Sequence, residues 1–105
     1  MNEVTIWRMG QEFKVYSEDT GMIRQLANAE GCKLGAEYFE HGRFVALDMI
    51  MPFKAKFGRR IFRVLKKRGF NTPSRWPNLA QDDILTLKRV RMPSEAKEGL
   101  EMPVQ

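Results

Sequence analysis

The chain contains a single cysteine and a single histidine among its 105 residues, and it has no long apolar run. Cys32 alone cannot form an intramolecular disulfide or a thiolate zinc site. The longest apolar stretch, residues 44–53, is interrupted by Asp48 and is far shorter than the roughly twenty residues of a membrane helix. The start of the chain, Met1 to Val4, lacks the features of a signal peptide. We therefore expect a cytoplasmic protein that does not span a membrane.

Motifs of catalysis and phosphate binding are also missing. The chain contains no GxxxxGK[ST] or GxGxxG pattern, and its glycines are too scattered to form a phosphate-binding loop. His41 lies in a turn sequence, where an ordinary exposed histidine is expected. The acids show neither a metal cluster nor the spacing of a nuclease site. The sequence therefore predicts no catalytic residue, no metal ligand and no cofactor, which favours a function other than catalysis.

Acidic residues are absent from residues 49–81, the thirty-three positions between Asp48 and Asp82. Nine of the eighteen Lys and Arg lie there, so this segment carries +9. The remainder combines nine bases with thirteen acids and sums to −4, which gives the overall charge of +5. Clustered bases attract polyanions because phosphate neutralisation releases counterions. The segment therefore indicates a negatively charged partner, such as DNA or RNA.

Alternation of apolar and polar residues predicts four strands in two hairpins, within one α+β domain of residues 1–92. The predicted strands are Val4–Met9, Glu12–Tyr16, Lys33–Glu40 and Arg43–Met51. Gly10-Gln11 suits a type II′ turn, and His41-Gly42 suits a type I′ turn. The four strands are expected to form an antiparallel sheet with the helices packed on one face.

Two helices are expected between and after the hairpins, in the order ββαββα. The first runs from about Thr20 to Glu30, and the second begins with Pro52 in its first turn and ends at Gly69. Ile84 to Met92 forms a further element, for which we favour a short capped helix. The alternative is a strand, which would give the ferredoxin-like order βαββαβ. Residues 93–105 have little periodicity and are expected to be a mobile tail.

The second helix is amphipathic, with a cationic face opposite an apolar stripe. The stripe contains Phe53, Phe57, Ile61, Val64 and Leu65. The cationic face contains Lys56, Arg59, Arg60, Arg63, Lys66 and Lys67. Such a face is either ordinary solvated surface or a binding surface for phosphates, and nine bases without an intervening acid favour the second interpretation. Gly58 lies inside this helix and weakens it by about 1 kcal/mol relative to alanine.

Two residues beyond this helix extend the candidate nucleic-acid site. Arg75 and Trp76 lie in the following loop, and a tryptophan beside an arginine is able to stack on an unpaired base. The alternative is that Trp76 folds back onto the core and anchors the loop. Asp48, in an apolar strand, is expected to pair with an arginine or to accept backbone N–H groups near Phe53.

A set of residues within about positions 13–68 forms a recognisable pattern, namely Val15 to Asp19, Ile23 to Leu26, Gly31, Cys32, Tyr38, Gly42, Asp48 and Pro52. In these residues the chain resembles a family of small bacterial proteins associated with phages or mobile elements. Members often have Trp before the strand Asp, whereas this chain has Leu47. The resemblance implies a cellular context but assigns no activity to any residue.

Taken together, these patterns predict a nucleic-acid-binding accessory or regulatory protein that is not an enzyme. The alternative is an interaction module whose basic face binds an acidic protein. Pairing of two copies through a sheet edge is compatible with the sequence, which does not require it.

Overall fold

A five-stranded antiparallel sheet forms the centre of the computed structural model, which describes residues 3–90. The strands are β1 (Glu3–Met9), β2 (Glu12–Ser17), β3 (Lys33–Glu40), β4 (Arg43–Pro52) and β5 (Ile84–Lys88). The helices are α1 (Thr20–Ala27) and α2 (Ala55–Lys67). The strands lie in the order β3-β4-β2-β1-β5, and all neighbours are antiparallel. The predicted α+β class with two helices is confirmed, and a fifth strand joins the predicted four.

The final element is a strand, so the favoured short helix is wrong. Asp82 and Asp83 do not cap a helix: Asp82 has a φ of 69°, and the Asp83 carboxylate accepts the backbone N–H of Ala80 at 2.7 Å. Leu85 and Leu87 then pair with β1. Their period of two places both side chains towards the core, which a helix would not do. The predicted element extended to Met92, and positions 91–92 and the predicted tail 93–105 lie outside the described residues.

The order of elements from β2 onwards is βαββαβ, but the sheet differs from a simple ferredoxin-like arrangement. β1 lies between β2 and β5, and β5 hydrogen-bonds to β1. The segment of residues 68–83 connects α2 to β5, and its residues 72–76 form one wall of the site described below.

Both helices contribute to a single apolar core on one face of the sheet. A row of directly paired residues crosses four strands, namely Leu85, Ile6, Val15 and Met49. The last three are fully buried, and Leu85 is partly buried against them. Met22, Ile23 and Leu26 from α1 and Ile61, Phe62 and Leu65 from α2 pack against this row. The alternate residues, which include Trp7 and Tyr16, face away from the helices because successive side chains in a strand point to opposite sides.

The boundaries of the elements follow from local turn and cap chemistry. His41 and Gly42 have φ of 52° and 78°, as the predicted type I′ turn requires. α2 ends at a Schellman motif, in which the N–H of Phe70 bonds to Leu65 and that of Gly69 to Lys66. Gly69 therefore ends the helix as predicted.

Two predicted boundaries differ from the structure. α1 ends at Ala27 rather than near Glu30. Pro52 belongs to β4 rather than to the first turn of α2, because it still pairs with Glu12 in the sheet. The next residue, Phe53, donates its N–H to the carbonyl of Gln11 and extends this pairing.

Asp48 is fully buried, and its carboxylate is satisfied by β3 rather than by the start of α2. Oδ1 accepts the N–H of Ala36 at 2.8 Å, and Oδ2 accepts the Tyr38 hydroxyl at 2.7 Å. Nζ of Lys14 lies 3.8 Å from the same oxygen. The expected bonds from the region of Phe53 are therefore wrong. The hydrogen bond to Asp48, with burial, raises the pKa of Tyr38 to about 12.

Within residues 3–90, neither helix has the length and apolar character needed to cross a membrane. His, Cys, Asp and Glu of the same residues form no group of three that could hold a metal ion.

Candidate nucleic-acid interface

α2 presents cations to solvent because its apolar residues are drawn into the core. Its buried residues are Gly58, Ile61, Phe62 and Leu65. Its exposed residues include Lys56, Arg59, Arg63, Lys66 and Lys67, so five of the six predicted face residues are on the surface. The last-turn lysines also interact favourably with the negative end of the helix dipole.

A groove of about 660 Å³ separates α2 from the segment 72–76. Arg59, Arg63 and Lys66 line its helical side, and Arg75 lines the opposite side. Among residues 3–90, no carboxylate lines this groove. The structure therefore brings together four of the predicted site cations around one concave surface.

Two further kinds of side chain line the groove. Thr72 and Ser74 provide hydroxyl groups, and Phe62 and Trp76 provide an aromatic floor. Sequence analysis missed both hydroxyl residues and Phe62, because their positions depend on how the segment after α2 folds back. The charge pattern located only the cations.

Several groove cations are available to a ligand. Within the described residues, no carboxylate lies in ion-pair distance of Arg59, Arg63 or Arg75. All three are exposed. Cations that are not already neutralised concentrate the positive potential of the groove.

Arg60 belongs to the framework and not to this groove. It is half-buried, and its guanidinium donates to the backbone carbonyls of Leu26 at 2.8 Å and Gln25 at 3.2 Å. These carbonyls lie at the C-terminal end of α1, where a cation is electrostatically favoured. Arg60 therefore connects the two helices and differs in role from its neighbour Arg59.

A second basic depression of about 300 Å³ lies on the other side of α2. Lys67, Arg60 and Arg68 line it together with Gln25, and Arg63 lines both this depression and the groove. Arg63 therefore stands on the ridge between two concave basic surfaces. Lys56 lines neither, and its Nζ lies 5.3 Å from the ring centre of Phe57.

Trp76 anchors the segment after α2 to the core. Its ring centre lies 5.0 Å from that of Phe13 and 4.8 Å from that of Phe62. It also packs across Gly58 of α2, where a side chain would collide with the indole. The structure thus agrees with the anchoring interpretation, although Trp76 remains half-buried and its indole still lines the groove.

No family model, curated protein or solved structure matches the chain. The function is therefore inferred from the geometry and chemistry of the groove.

Proposed function

We propose that the protein binds DNA or RNA through the groove between α2 and the segment 72–76, without catalysing a reaction. The observation that carries this proposal is the placement of cations on both sides of a concave surface that no carboxylate of residues 3–90 lines. An ordinary solvated face intersperses acids with bases. In the described part of the chain the groove presents only bases, and this arrangement favours a polyanionic ligand.

The chemistry of the groove fits phosphates and sugars. The planar guanidinium groups of Arg59, Arg63 and Arg75 suit bidentate hydrogen bonding to phosphate oxygens. The hydroxyls of Thr72 and Ser74 are able to donate to phosphate or sugar oxygens. Contacts of this kind hold the nucleic-acid backbone and carry no direct sequence information, so we expect binding with little sequence preference.

An acidic protein is the alternative ligand for the same cations. It presents carboxylates on a fixed surface instead of a regular phosphate backbone. In either case the protein acts as an accessory or regulatory factor, a role compatible with its resemblance to proteins of phages and mobile elements.

Fluorescence anisotropy with labelled oligonucleotides tests the proposal. The decisive variant combines Arg59→Gln, Arg63→Gln and Arg75→Gln, and it keeps Arg60 because that residue connects the helices. We expect this variant to fold normally and to bind at least tenfold more weakly in low salt. Equal binding by the variant would contradict the groove assignment.

A matched control removes the same number of charges elsewhere. Lys33, Arg43 and Lys88 are exposed strand residues that do not line the groove. Their replacement by Gln should leave affinity within about twofold, because charges far from the phosphates contribute mainly through screened long-range attraction. Capture of an acidic protein by a chain that binds no oligonucleotide would favour the alternative.

A further inference from the structure

We propose that the groove holds a single-stranded segment, with phosphates against its cationic sides and a base against Trp76. This inference rests on the proposed nucleic-acid binding and defines its substrate class. It follows from three features of the groove: its recessed position, its two charged sides and its aromatic floor.

The recessed position disfavours reading of a duplex by α2. A single helix, about 10–12 Å across, fits a DNA major groove about 12 Å wide. α2 does not project alone, because Arg60 fastens it to α1 on one side and the segment 72–76 flanks it on the other. These neighbours flank α2 on both sides and limit how far it reaches into a major groove.

The two charged sides match one phosphate backbone. Arg59 and Arg63 lie on the helical side of the groove and Arg75 on the other, so a strand within it is contacted from both directions. A duplex is wider than its own major groove and does not enter a space of about 660 Å³. It would touch only the outer ends of these side chains.

The aromatic floor provides a surface for an unpaired base. Trp76 is half-buried, and its indole lines the groove. Phe62 is buried and supports the indole, with its ring 4.8 Å from that of Trp76 and tilted by 58°. Bases stack on aromatic side chains with little sequence dependence, because every base has a π-face. In a duplex these faces are covered by neighbouring base pairs, so the floor selects for a single strand.

Tryptophan fluorescence tests this inference without altering the floor. The chain has two tryptophans, and Trp7 lies on the sheet face away from the helices. In a Trp7→Phe variant, Trp76 becomes the sole reporter. Circular dichroism would first establish that the variant retains the native fold. It would then be titrated with a short oligothymidine, a duplex of equal length, and an abasic strand of equal length.

We expect the oligothymidine to bind at least tenfold more tightly than the duplex and to quench Trp76 saturably. The abasic strand should bind more weakly and leave the emission nearly unchanged, because it retains phosphates but has no base to stack. Duplex binding that equals or exceeds single-strand binding would overturn the inference while supporting nucleic-acid binding. Equal quenching by the abasic strand would overturn the stacking role. An absence of binding by all three polymers would overturn both this inference and the proposed function.

Discussion

Trp76 occupies the space that a side chain on Gly58 would need. A Cβ built on this glycine would clash with ring atoms of the indole, far inside the van der Waals contact distance. The glycine that weakens α2 locally therefore permits the close approach of the segment that forms the other side of the groove. Its helix-propensity cost of about 1 kcal/mol is offset by packing of a large aromatic ring.

Replacing Gly58 by Ala should destabilise the protein by about 1–3 kcal/mol, the usual range for overpacking a core. The gain in helix propensity is smaller than the cost of displacing the indole. We expect Trp76 to become more exposed and the groove to widen. Urea denaturation measures the stability, and Trp76 emission in a Trp7→Phe background measures the displacement.

Gly21 provides the matched control for this substitution. It also lies in a helix, but the nearest atom to its added Cβ is Oδ1 of Asp19, at an ordinary 3.9 Å. Gly21→Ala should be neutral or stabilising by up to about 1 kcal/mol, because alanine favours helix. If Gly58→Ala were equally harmless, the proposed packing of Trp76 on α2 would be wrong.

The Asp48 carboxylate should contribute to stability through its hydrogen bonds to β3. Asp48→Ala would leave the N–H of Ala36 without its acceptor and would separate Lys14 from its charge partner. We expect a loss of about 1–3 kcal/mol, because the two hydrogen bonds of the buried carboxylate are lost and water is able to reach only part of the groups left behind. Tyr38→Phe should cost less, about 1–2 kcal/mol.

A double-mutant cycle between Asp48→Asn and Tyr38→Phe measures their coupling directly. Residues that share a hydrogen bond show coupling of about 0.5–3 kcal/mol, whereas independent residues are additive. Urea denaturation of the four proteins supplies the values. Strict additivity would show that the 2.7 Å hydrogen bond contributes nothing to folding.

High pH should destabilise the fold through Tyr38. Its pKa is raised from 10.0 to about 12, chiefly by the hydrogen bond to Asp48 and then by burial. The folded state therefore holds the phenol proton more tightly than the unfolded state does. Stability from this group is fully present below pH 10 and is lost as the pH rises towards about 12.

Absorbance titration of tyrosinate tests this pH dependence. Tyr38→Phe leaves Tyr16, whose pKa is also raised, mainly by burial and then by Glu18 and Glu40. Subtracting that variant isolates Tyr38. In Asp48→Asn the pKa of Tyr38 should fall, because the carboxylate acceptor is gone. An unchanged titration in that variant would assign the raised pKa to another cause.

Asp19 should stabilise the fold at a junction of three elements. It caps α1 by accepting the N–H of Met22 at 3.2 Å, and its other oxygen accepts from Arg89 at 2.7 Å. Nη1 of Arg68, which follows α2, lies 3.7 Å from the same oxygen. Asp19→Ala removes all three interactions and should cost about 1–3 kcal/mol. Asp19→Ser retains a capping oxygen and should cost less. Thermal unfolding compares the variants, and equal losses would show that the cap contributes little.

The sequence predicted the parts of the fold that depend on local chemistry. Alternating strands and the His41-Gly42 turn follow from neighbouring residues, and both were predicted correctly. The β5 prediction failed because Asp82 and Asp83 resemble a helix cap, whereas pairing with β1 decides the outcome. Tertiary packing overrode local propensity at that position.

In the candidate site, too, local sequence predicted some residues and tertiary contacts decided the position of others. Charge spacing on α2 located its cations, because an amphipathic helix separates its faces by period alone. The opposite side of the groove depends on Trp76 folding back across Gly58, a long-range contact with no periodic signal. The sequence also did not predict that Arg60 connects the two helices, since its hydrogen-bond acceptors are backbone carbonyls of α1.

The salt dependence of oligonucleotide binding is the most direct test of whether the groove cations bind phosphates. For a single strand, log K falls against log[salt] with a slope of roughly −0.7 per phosphate contact, so four groove cations predict a slope near −3. Neutralising Arg59, Arg63 and Arg75 should reduce that slope to about −1 between roughly 50 and 200 mM salt. An unchanged slope in this variant would show that the groove cations do not bind the phosphates. An absence of binding by the unmodified protein at the lowest salt would show that it is not a nucleic-acid-binding protein.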